Sequence, residues 1–433
     1  MLTVAGTAFA FTKFPFNELR CVHNTTKIHG KDMVILLHNC ITKHKIGTFD
    51  ITNFTSLKHF TLALFFLFTL SCKENKASFT PTQGTPVSID YAQGFLITEF
   101  DDYTLLEVSR AFPNSTDTLR YALVPKINSF SSKIPENIPV VPIPLETIVV
   151  TSTTHIPSLE MLEVAETLVG FPNLDYVSST LSRKRIANNK IKELGQNESI
   201  NTEVLLELNP DAVVSFGVEG QNKSLEVVQK AGIPILYNGD WVEQDPLGKA
   251  EWIKFFGALY DKNELAESLF KQIEKDYLDT KKLVAQVSTK PTVISGAMYK
   301  DVWYLPKGDS WPARLIKDAG GKYLWADTAG TGSLSLSLES VLDKGQQATH
   351  WVAPAQYSSY DTMKKANTAY EHFDAFKNEQ VYTFAAKKGE TGGLLYYELA
   401  PNRPDIVLKD IVHYLHPELL PDYEPFFFSK LEK

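Results

Sequence analysis

The 433-residue chain has little cysteine, and all of it lies near the start. Cys21, Cys40 and Cys72 are its three cysteines, so every segment after Cys72 is free of thiols. A disulfide, a cysteine nucleophile and a cysteine-ligated metal are therefore excluded from the body of the protein. The composition is otherwise ordinary, with 43% hydrophobic and 22% charged residues. A chain of this length predicts about two to three domains.

The chain also lacks an apolar run long enough to span a bilayer. The most apolar stretch, Phe60–Leu70, has 11 residues, whereas a transmembrane helix needs about 20. A basic residue precedes it and Ser71 and Cys72 follow, which is the order of a bacterial lipoprotein signal peptide. Thr69 stands where that signal usually has Leu. We expect cleavage before Cys72, lipidation of its thiol, and a location in the periplasm or at the cell surface. The alternative is a buried hydrophobic helix.

The residues before Leu57 carry no periodic pattern. Translation from near Leu57 would leave an ordinary signal, so we interpret 1–72 as an upstream extension and a signal peptide. Lys73 and Glu74 do not distinguish sorting to the inner membrane from sorting to the outer membrane.

Positive charge and catalytic motifs are scarce as well. After Cys72 the chain has 36 basic and 48 acidic residues, a net charge of −12, which argues against a nucleic-acid partner. No G-x-S-x-G, Walker A or H-E-x-x-H motif occurs, and the glycine-rich segment near Gly330 lacks dinucleotide-binding spacing. The chain is therefore predicted not to be an enzyme. A chelatase-type enzyme on a similar fold remains an alternative.

What the chain does contain is a repeated α/β pattern. Buried-strand runs such as TIVVTSTTHIP and ATHWVAP alternate with helical runs such as TEVLLEL and LESVLDKG, which predicts parallel sheets covered by helices. We assign 73–86 to a flexible tether, 87–260 to a first lobe that begins with an antiparallel β meander, and 288–433 to a second lobe.

Between the two lobes the sequence predicts one long helix over Asp261–Val287. Asp261 is expected to cap it, Glu264 is its third helical position, and neither Gly nor Pro interrupts it. Apolar residues from Leu265 to Val284 recur near one face. A stiff helix between two lobes predicts a cleft between them.

Three segments carry a specific resemblance. NTEVLLELNPDAVVSFG joins a helix to a strand through Asn-Pro-Asp, WPARLIKDAGG begins a helix, and YYELAPNRPDIVLKDI leads into the last one. Over roughly Thr147–His416 the chain resembles substrate-binding proteins of ABC importers for iron-siderophores, haem and cobalamin. The resemblance implies an α/β fold of two Rossmann-like lobes bridged by one long helix, with the ligand cleft between them.

A cleft for a metal chelate needs aromatic walls and a few polar groups. Aromatic side chains at predicted strand ends are candidates, with their packing in the core as the alternative for each: Trp311, Trp241, Trp303, Tyr304, Tyr299 and Tyr357. His155 ends the first long strand and is a candidate hydrogen-bond donor or axial ligand, although a lone histidine is more often structural. Arg185 and Arg314 are candidate contacts for an anionic ligand.

The resemblance also implies partners. In the family one exposed Glu on each lobe meets the permease, and Glu398 matches the second-lobe position. On the first lobe Glu219 is the candidate and Glu226 the other option, because a gapless comparison places Asn222 at the family position. The separate ATPase of the importer would supply the energy, and the receptor itself is expected to be a monomer.

The resemblance implies no intrinsic cofactor and an iron or cobalt chelate as ligand, with an iron-siderophore placed before haem and cobalamin. A receptor for bare zinc or manganese is an alternative that needs about three or four converging ligands. The chain offers five histidines after Cys72 and no histidine-rich loop: His155, His350, His372, His413 and His416.

Overall fold

The structure is a computed structural model that describes residues 84–113, 115–127, 134–218 and 222–433. The chain divides into two compact units, Met1–Thr80 and Pro81–Lys433, and every described residue belongs to the second. The predicted signal peptide and lipidation at Cys72 lie outside the described residues. Within the described ranges, no helix has the length and apolar character needed to cross a membrane.

A five-stranded sheet comes first in the described chain. In both chain order and spatial order its strands are β1 (Thr85–Pro86), β2 (Phe95–Glu99), β3 (Thr104–Val108), β4 (Leu119–Pro125) and β5 (Val140–Ile143). The first four pair antiparallel, as predicted, but β5 runs parallel to β4. The structure also places β1 inside the stretch that was predicted to be a tether.

The first lobe is a parallel sheet covered by helices. Its elements are β6 (Ile148–Val150), α1 (Ile156–Met161), β7 (Leu168–Phe171), α2 (Thr180–Ala187), β8 (Lys192–Glu193), the hairpin β9 (Gly195–Gln196) and β10 (Ser199–Ile200), α3 (Thr202–Leu208), β11 (Ala212–Ser215), α4 (Lys223–Lys230), β12 (Ile235–Tyr237), α5 (Pro246–Glu251) and α6 (Ile253–Leu259). The spatial strand order is β12-β11-β6-β7-β8. The strands IVV, AVVS and ILY are buried throughout, as expected when helices cover both faces of a parallel sheet.

Helix α7 (Asn263–Val284) leads out of the first lobe. It is shorter than predicted, with 22 residues and a length of about 33 Å. The predicted cap is wrong: Asp261 has φ 54°, a left-handed conformation, and Lys262 directly precedes the helix without a side-chain cap. The N–H of Lys262 donates to the carbonyl of Gly257, so the turn that ends α6 fixes this conformation.

The second lobe has one mainly parallel sheet and one small antiparallel sheet. Its elements are β13 (Thr292–Ser295), β14 (Ala297–Tyr299), β15 (Val302–Pro306), α8 (Trp311–Asp318), β16 (Lys322–Tyr323), β17 (Ser333–Leu336), α9 (Leu338–Gly345), β18 (His350–Val352), α10 (Tyr360–Ala366), α11 (Asp374–Lys377), β19 (Val381–Thr383), α12 (Leu395–Leu399), α13 (Pro404–Leu415) and β20 (Ser429–Lys430). The orders are β16-β13-β18-β19-β20 and β14-β15-β17, and β20 alone is antiparallel in the larger sheet.

Helix α7 packs on both lobes, against α6 of the first and α13 of the second. The predicted α/β fold of two lobes joined by one long helix is confirmed. Tyr277, buried on α7, donates its hydroxyl to Oδ2 of Asp318 at the end of α8, 2.8 Å away. This contact holds the bridging helix to the second lobe.

Tyr277→Phe is expected to lower the free energy of unfolding by about 1 kcal/mol, because it removes one partly buried hydrogen bond and little volume. Urea denaturation measures this change. Tyr299→Phe, at a side chain that is 56% exposed, is the control and should change stability by less than about 0.5 kcal/mol. Equal effects of the two substitutions would contradict the role given to the Asp318 contact.

Buried carboxylates hold the terminal segments of the described chain. Glu251 accepts the backbone N–H groups of Asp90, Tyr91 and Ala92 at 2.7–2.8 Å. Asp410, fully buried on α13, accepts three successive backbone N–H groups from Phe426 to Phe428 and the hydroxyl of Tyr423. Each carboxylate thus satisfies donors that would otherwise be buried without partners.

Candidate functional site between the lobes

The two lobes meet through segments that follow the carboxyl ends of parallel strands. Thr154 lies just beyond β6, and its carbonyl accepts from Nδ2 of Asn402, which lies beyond β19, at 2.8 Å. The hydroxyl of Ser158 donates to Oδ1 of the same Asn402 at 2.8 Å. Ligands of open α/β sheets bind at this edge. We call this contact region the seam; it comprises 151–158, 176–179, 238–249, 311–314 and 396–402.

A second set of contacts crosses the seam between α5 and α8. Arg314 on α8 donates to Oδ2 of Asp245, which caps α5, at 3.3 Å. Nζ of Lys249 on α5 lies 5.7 Å from the ring centre of Trp311, the first residue of α8. Trp311 in turn stacks on Tyr396 of α12 at a centroid distance of 6.0 Å. Trp311 and Arg314 thus touch the first lobe directly.

Lys249 belongs to a buried polar network on the first-lobe side. Its ammonium donates to the carbonyls of Asp240, at 2.8 Å, and Trp241. Burial lowers the pKa of Lys249 to about 8, and the charges of Asp240 and Glu243 limit this shift. Oδ2 of Asp240 accepts from the hydroxyl of Thr154 at 2.7 Å. The network joins the residues after β12 to those after β6.

His155 lies in the same region and is fully buried, with its ring 5.5 Å from that of Phe256. Burial lowers its pKa, and the charge of Asp240 opposes that shift. Burial thus favours the neutral imidazole, the form that can accept a hydrogen bond or bind a metal through a free nitrogen.

Several polar atoms at the seam have no hydrogen-bond partner among the described residues. They are both ring nitrogens of His155, Nδ2 of Asn238, Oδ1 of Asp240 and Nε1 of Trp241. A buried polar group without a partner costs about 1–3 kcal/mol. The contact between the lobes therefore leaves hydrogen-bonding capacity unused in this arrangement.

The predicted exposure of Glu398 is wrong. Its side chain is 2% exposed, and its Oε2 accepts the backbone N–H of Ser178 in the first lobe at 2.6 Å. Burial raises the pKa of Glu398 to about 7, the charge of Glu160 adds to the shift, and the N–H groups of Ser178 and Ser179 oppose it. In this arrangement Glu398 joins the lobes and presents no surface to a permease.

Two predicted ligand contacts are also corrected. Trp303 is 0% exposed and packs between Trp351 and Tyr370, with its Nε1–H donated to the carbonyl of Ser295. It is a core residue of the second lobe. Arg185 donates to the carbonyl of Leu168, the first residue of β7, so it lies at the amino end of the sheet and away from the seam.

The remaining candidates lie on the second lobe and the first-lobe rim. Trp241 is half-buried directly after β12, Tyr357 is half-buried after β18, and Tyr304 is half-buried on β15. Tyr299 is exposed at the turn that joins β14 to β15. Their contact with a ligand remains a prediction.

The first-lobe docking candidates fall around α4. Glu219 lies outside the described residues. Asn222 caps α4 through its side chain, which accepts the N–H of Ser224, and Glu226 is exposed in the first turn.

An open groove of about 700 Å³ lies elsewhere, beside the amino ends of β13 and β18. His350 and His416 line it. This is the opposite edge from the seam, which argues against the groove as the family's ligand site. Within the described ranges, no three His, Cys, Asp or Glu side chains converge in a way that would hold a metal ion.

Comparison with known proteins agrees with this architecture. The sequence profile of the periplasmic binding protein family matches residues 148–387, more than half of the chain. The protein belongs to this family, as the motif resemblance implied. A solved periplasmic binding protein from Veillonella parvula superposes with a TM-score of 0.51 at 14% identity, covering 76% of this chain and 96% of that one, which supports the fold alone.

Two curated relatives are informative by name. An uncharacterized lipoprotein of Methanocaldococcus jannaschii is 27% identical over 307 residues, or 69% of this chain and 72% of that protein. A vitamin B12-binding protein of Vibrio parahaemolyticus is 22% identical over 161 residues, or 36% of this chain and 54% of that protein.

Sequence reasoning missed the polar half of the seam. Lys249, Asp240 and Asn402 were not singled out, although Asp245-Pro246 is a helix-start signal that places Lys249 on α5. Asn402 lies within the motif APNRPD, whose resemblance gave no role to it. Only tertiary contact shows that these side chains meet.

Proposed function

We propose that the protein is a lipid-anchored receptor that captures a metal chelate in the seam and delivers it to an ABC permease. An iron-siderophore is the first candidate, with haem or cobalamin as the others. Membership of the periplasmic binding protein family and a relative named for vitamin B12 support this class of ligand. The protein's own part is binding, and the importer's ATPase supplies the energy.

One observation carries the proposal. Trp241 of the first lobe and Trp311 of the second both meet Lys249, whose ammonium donates to the backbone carbonyl of Trp241 and lies over the ring of Trp311. Unpartnered polar atoms of His155 and Asp240 lie beside them. A chelate presents broad apolar and π surface around a few polar groups, which is the surface that such walls complement.

The anchor and docking parts are supported by the sequence. The signal-like segment before Cys72 supports lipid attachment, and the segment after it supports a tether to lobes at 87–260 and 288–433. We propose Glu219 or Glu226 for docking on the first lobe. Because Glu398 is buried, we assign no docking carboxylate to the second lobe.

The full chain in detergent, titrated separately with a ferric hydroxamate siderophore, haemin and cyanocobalamin, tests the proposal through tryptophan fluorescence. One of the three is expected to quench at micromolar concentration. Trp311→Leu and Trp241→Leu should each weaken binding at least about tenfold, because each removes an aromatic wall. Trp325→Phe, in the core, is the control and should bind as the wild type does. If none of the chelates binds while zinc or manganese binds tightly, the proposal is wrong.

A further inference from the structure

A glycine-rich loop of the second lobe, Lys387–Leu394, reaches across to the first lobe. Its ends are bridged between Lys388 and Leu394. The N–H of Gly389 donates to the carbonyl of Gly393 at 2.7 Å, and the N–H of Gly392 donates to that of Gly389 at 3.0 Å. The loop therefore folds back on itself as a compact turn. We call it the strap.

The strap approaches the first lobe more closely than any residue with a side chain would allow. A Cβ on Gly389 would lie 2.6 Å from Cα of Ser178, and a Cβ on Gly393 would lie 2.7 Å from the carbonyl oxygen of Tyr176. Both neighbours are backbone atoms, which cannot move aside as the end of a side chain can. Neither glycine has a positive φ, so the backbone conformation does not require glycine at these positions. The close approach to the first lobe does.

Few interactions hold the strap in place. Thr391 donates its hydroxyl to the carbonyl of Asp175 at 2.7 Å, and Glu398, just beyond the strap, accepts the N–H of Ser178. At the ends of the strap Leu394 packs against the core and Lys387 lies over the ring of Phe426. The side chains of Lys388, Glu390 and Thr391 are exposed, so the middle of the strap buries little apolar surface. Segments with few buried apolar contacts open at the lowest free-energy cost.

The strap lies over a part of the seam that still has hydrogen-bonding capacity. The hydroxyl of Ser178 is buried without a partner among the described residues, and it would lie 2.8 Å from a Cβ on Gly393. Helix α7 also joins the two lobes, because it packs against α6 of the first and α13 of the second. The strap and α7 are therefore two separate connections between the lobes.

We propose that the strap closes one mouth of the seam and must lift from residues 174–178 before a ligand can enter. The assumption that the ligand enters through the seam rests on the proposed function. The attachment of the strap to the first lobe does not depend on it.

The test uses the full chain carrying Gly389→Ala and Gly393→Ala together, with Gly332→Ala as the matched control. Gly332 is in the same lobe, has no positive φ, and has nothing within 4 Å of its added Cβ. In the double variant, amide hydrogen exchange in peptides covering 174–179 should accelerate at least about tenfold, because Ser178 loses its cover. Exchange in β13 should stay unchanged, which reports that the second lobe is folded. Thr391→Val removes one hydrogen bond without a clash and should give a smaller acceleration.

Access to the seam is measured in the same samples by acrylamide quenching of tryptophan fluorescence and by the association rates of haemin and cyanocobalamin. In the double variant, quenching should increase, and the association rate of whichever chelate binds should rise at least about threefold. Unchanged exchange at 174–179, or faster exchange with unchanged quenching and unchanged association, would overturn the proposal. If neither chelate binds any form of the protein, the proposed ligand class is in question, while exchange and quenching still decide the strap.

Discussion

Replacing Glu398 by Gln is expected to remove a shift toward separated lobes that the wild type undergoes as the pH rises from about 5 to 7. In the closed arrangement the pKa of Glu398 is raised to about 7 from an ordinary 4.5, mainly by burial. Once the lobes separate, its carboxyl is in water and regains its ordinary pKa.

The sign follows from proton uptake. The closed form binds the proton more tightly, so closure is favoured fully below pH 4.5 and loses this contribution as the pH rises toward about 7. Between the two values each pH unit changes the closed-to-separated ratio by about tenfold, roughly 3 kcal/mol in all. His155 contributes with the opposite sign because burial lowers its pKa. The contribution of Glu398 is therefore obtained by subtracting the pH dependence of the closed-to-separated ratio in Glu398→Gln from that in the wild type.

The distance between one spin label on α3 and one on α10, in a chain whose three cysteines are replaced by serine, measures this balance. The short-distance population should fall with rising pH in the wild type, and in Glu398→Gln this fall should be absent. Glu390→Gln, at an exposed carboxylate of the strap, is the control and should follow the wild type. A parallel pH dependence in Glu398→Gln and wild type would show that another group controls closure.

Asp410→Ala is expected to have the largest effect on stability, a loss of about 3–5 kcal/mol in the free energy of unfolding. The substitution leaves the buried N–H groups of Phe427 and Phe428 and the part-buried N–H group of Phe426 without an acceptor. Phe427 and Phe428 contact Tyr396, on which Trp311 stacks. Loss of the C-terminal segment should therefore also loosen the aromatic wall of the seam.

Chemical denaturation measures the loss, and limited proteolysis should cut the variant first after residue 420. Asp422→Ala removes an exposed carboxylate in the same segment and should change stability by less than about 0.5 kcal/mol. A small effect of Asp410→Ala would mean that the segment is held by its aromatic packing alone.

The fold was predictable because its signals are local. Runs such as AVVS and ILY form fully buried strands, and the long apolar pattern from Leu265 to Val284 forms one helix. The start of α7 was mispredicted because the left-handed conformation of Asp261 depends on the preceding turn, which no residue pattern marks.

The site was predictable only in part, because it depends on whether each side chain points into the core of its lobe or toward the seam. Trp303 and Trp311 carry the same sequence signal, an indole near a strand end, but one packs against Trp351 and the other lies at the seam. Glu398 resembled a docking residue, yet its carboxylate accepts a first-lobe N–H that no sequence distance reveals. The family is confirmed, and the ligand contacts remain predictions.

Hydrogen exchange of the full chain with and without the chelate that quenches its fluorescence tests the central claim, that the seam binds the ligand. The account predicts slower exchange in 151–158, 238–242 and 311–314, the segments that carry His155, Trp241 and Trp311. No change is predicted at 286–291 and 349–350, which line the groove beside His350. Slowing confined to that groove, or no slowing with any of the three chelates, would contradict it.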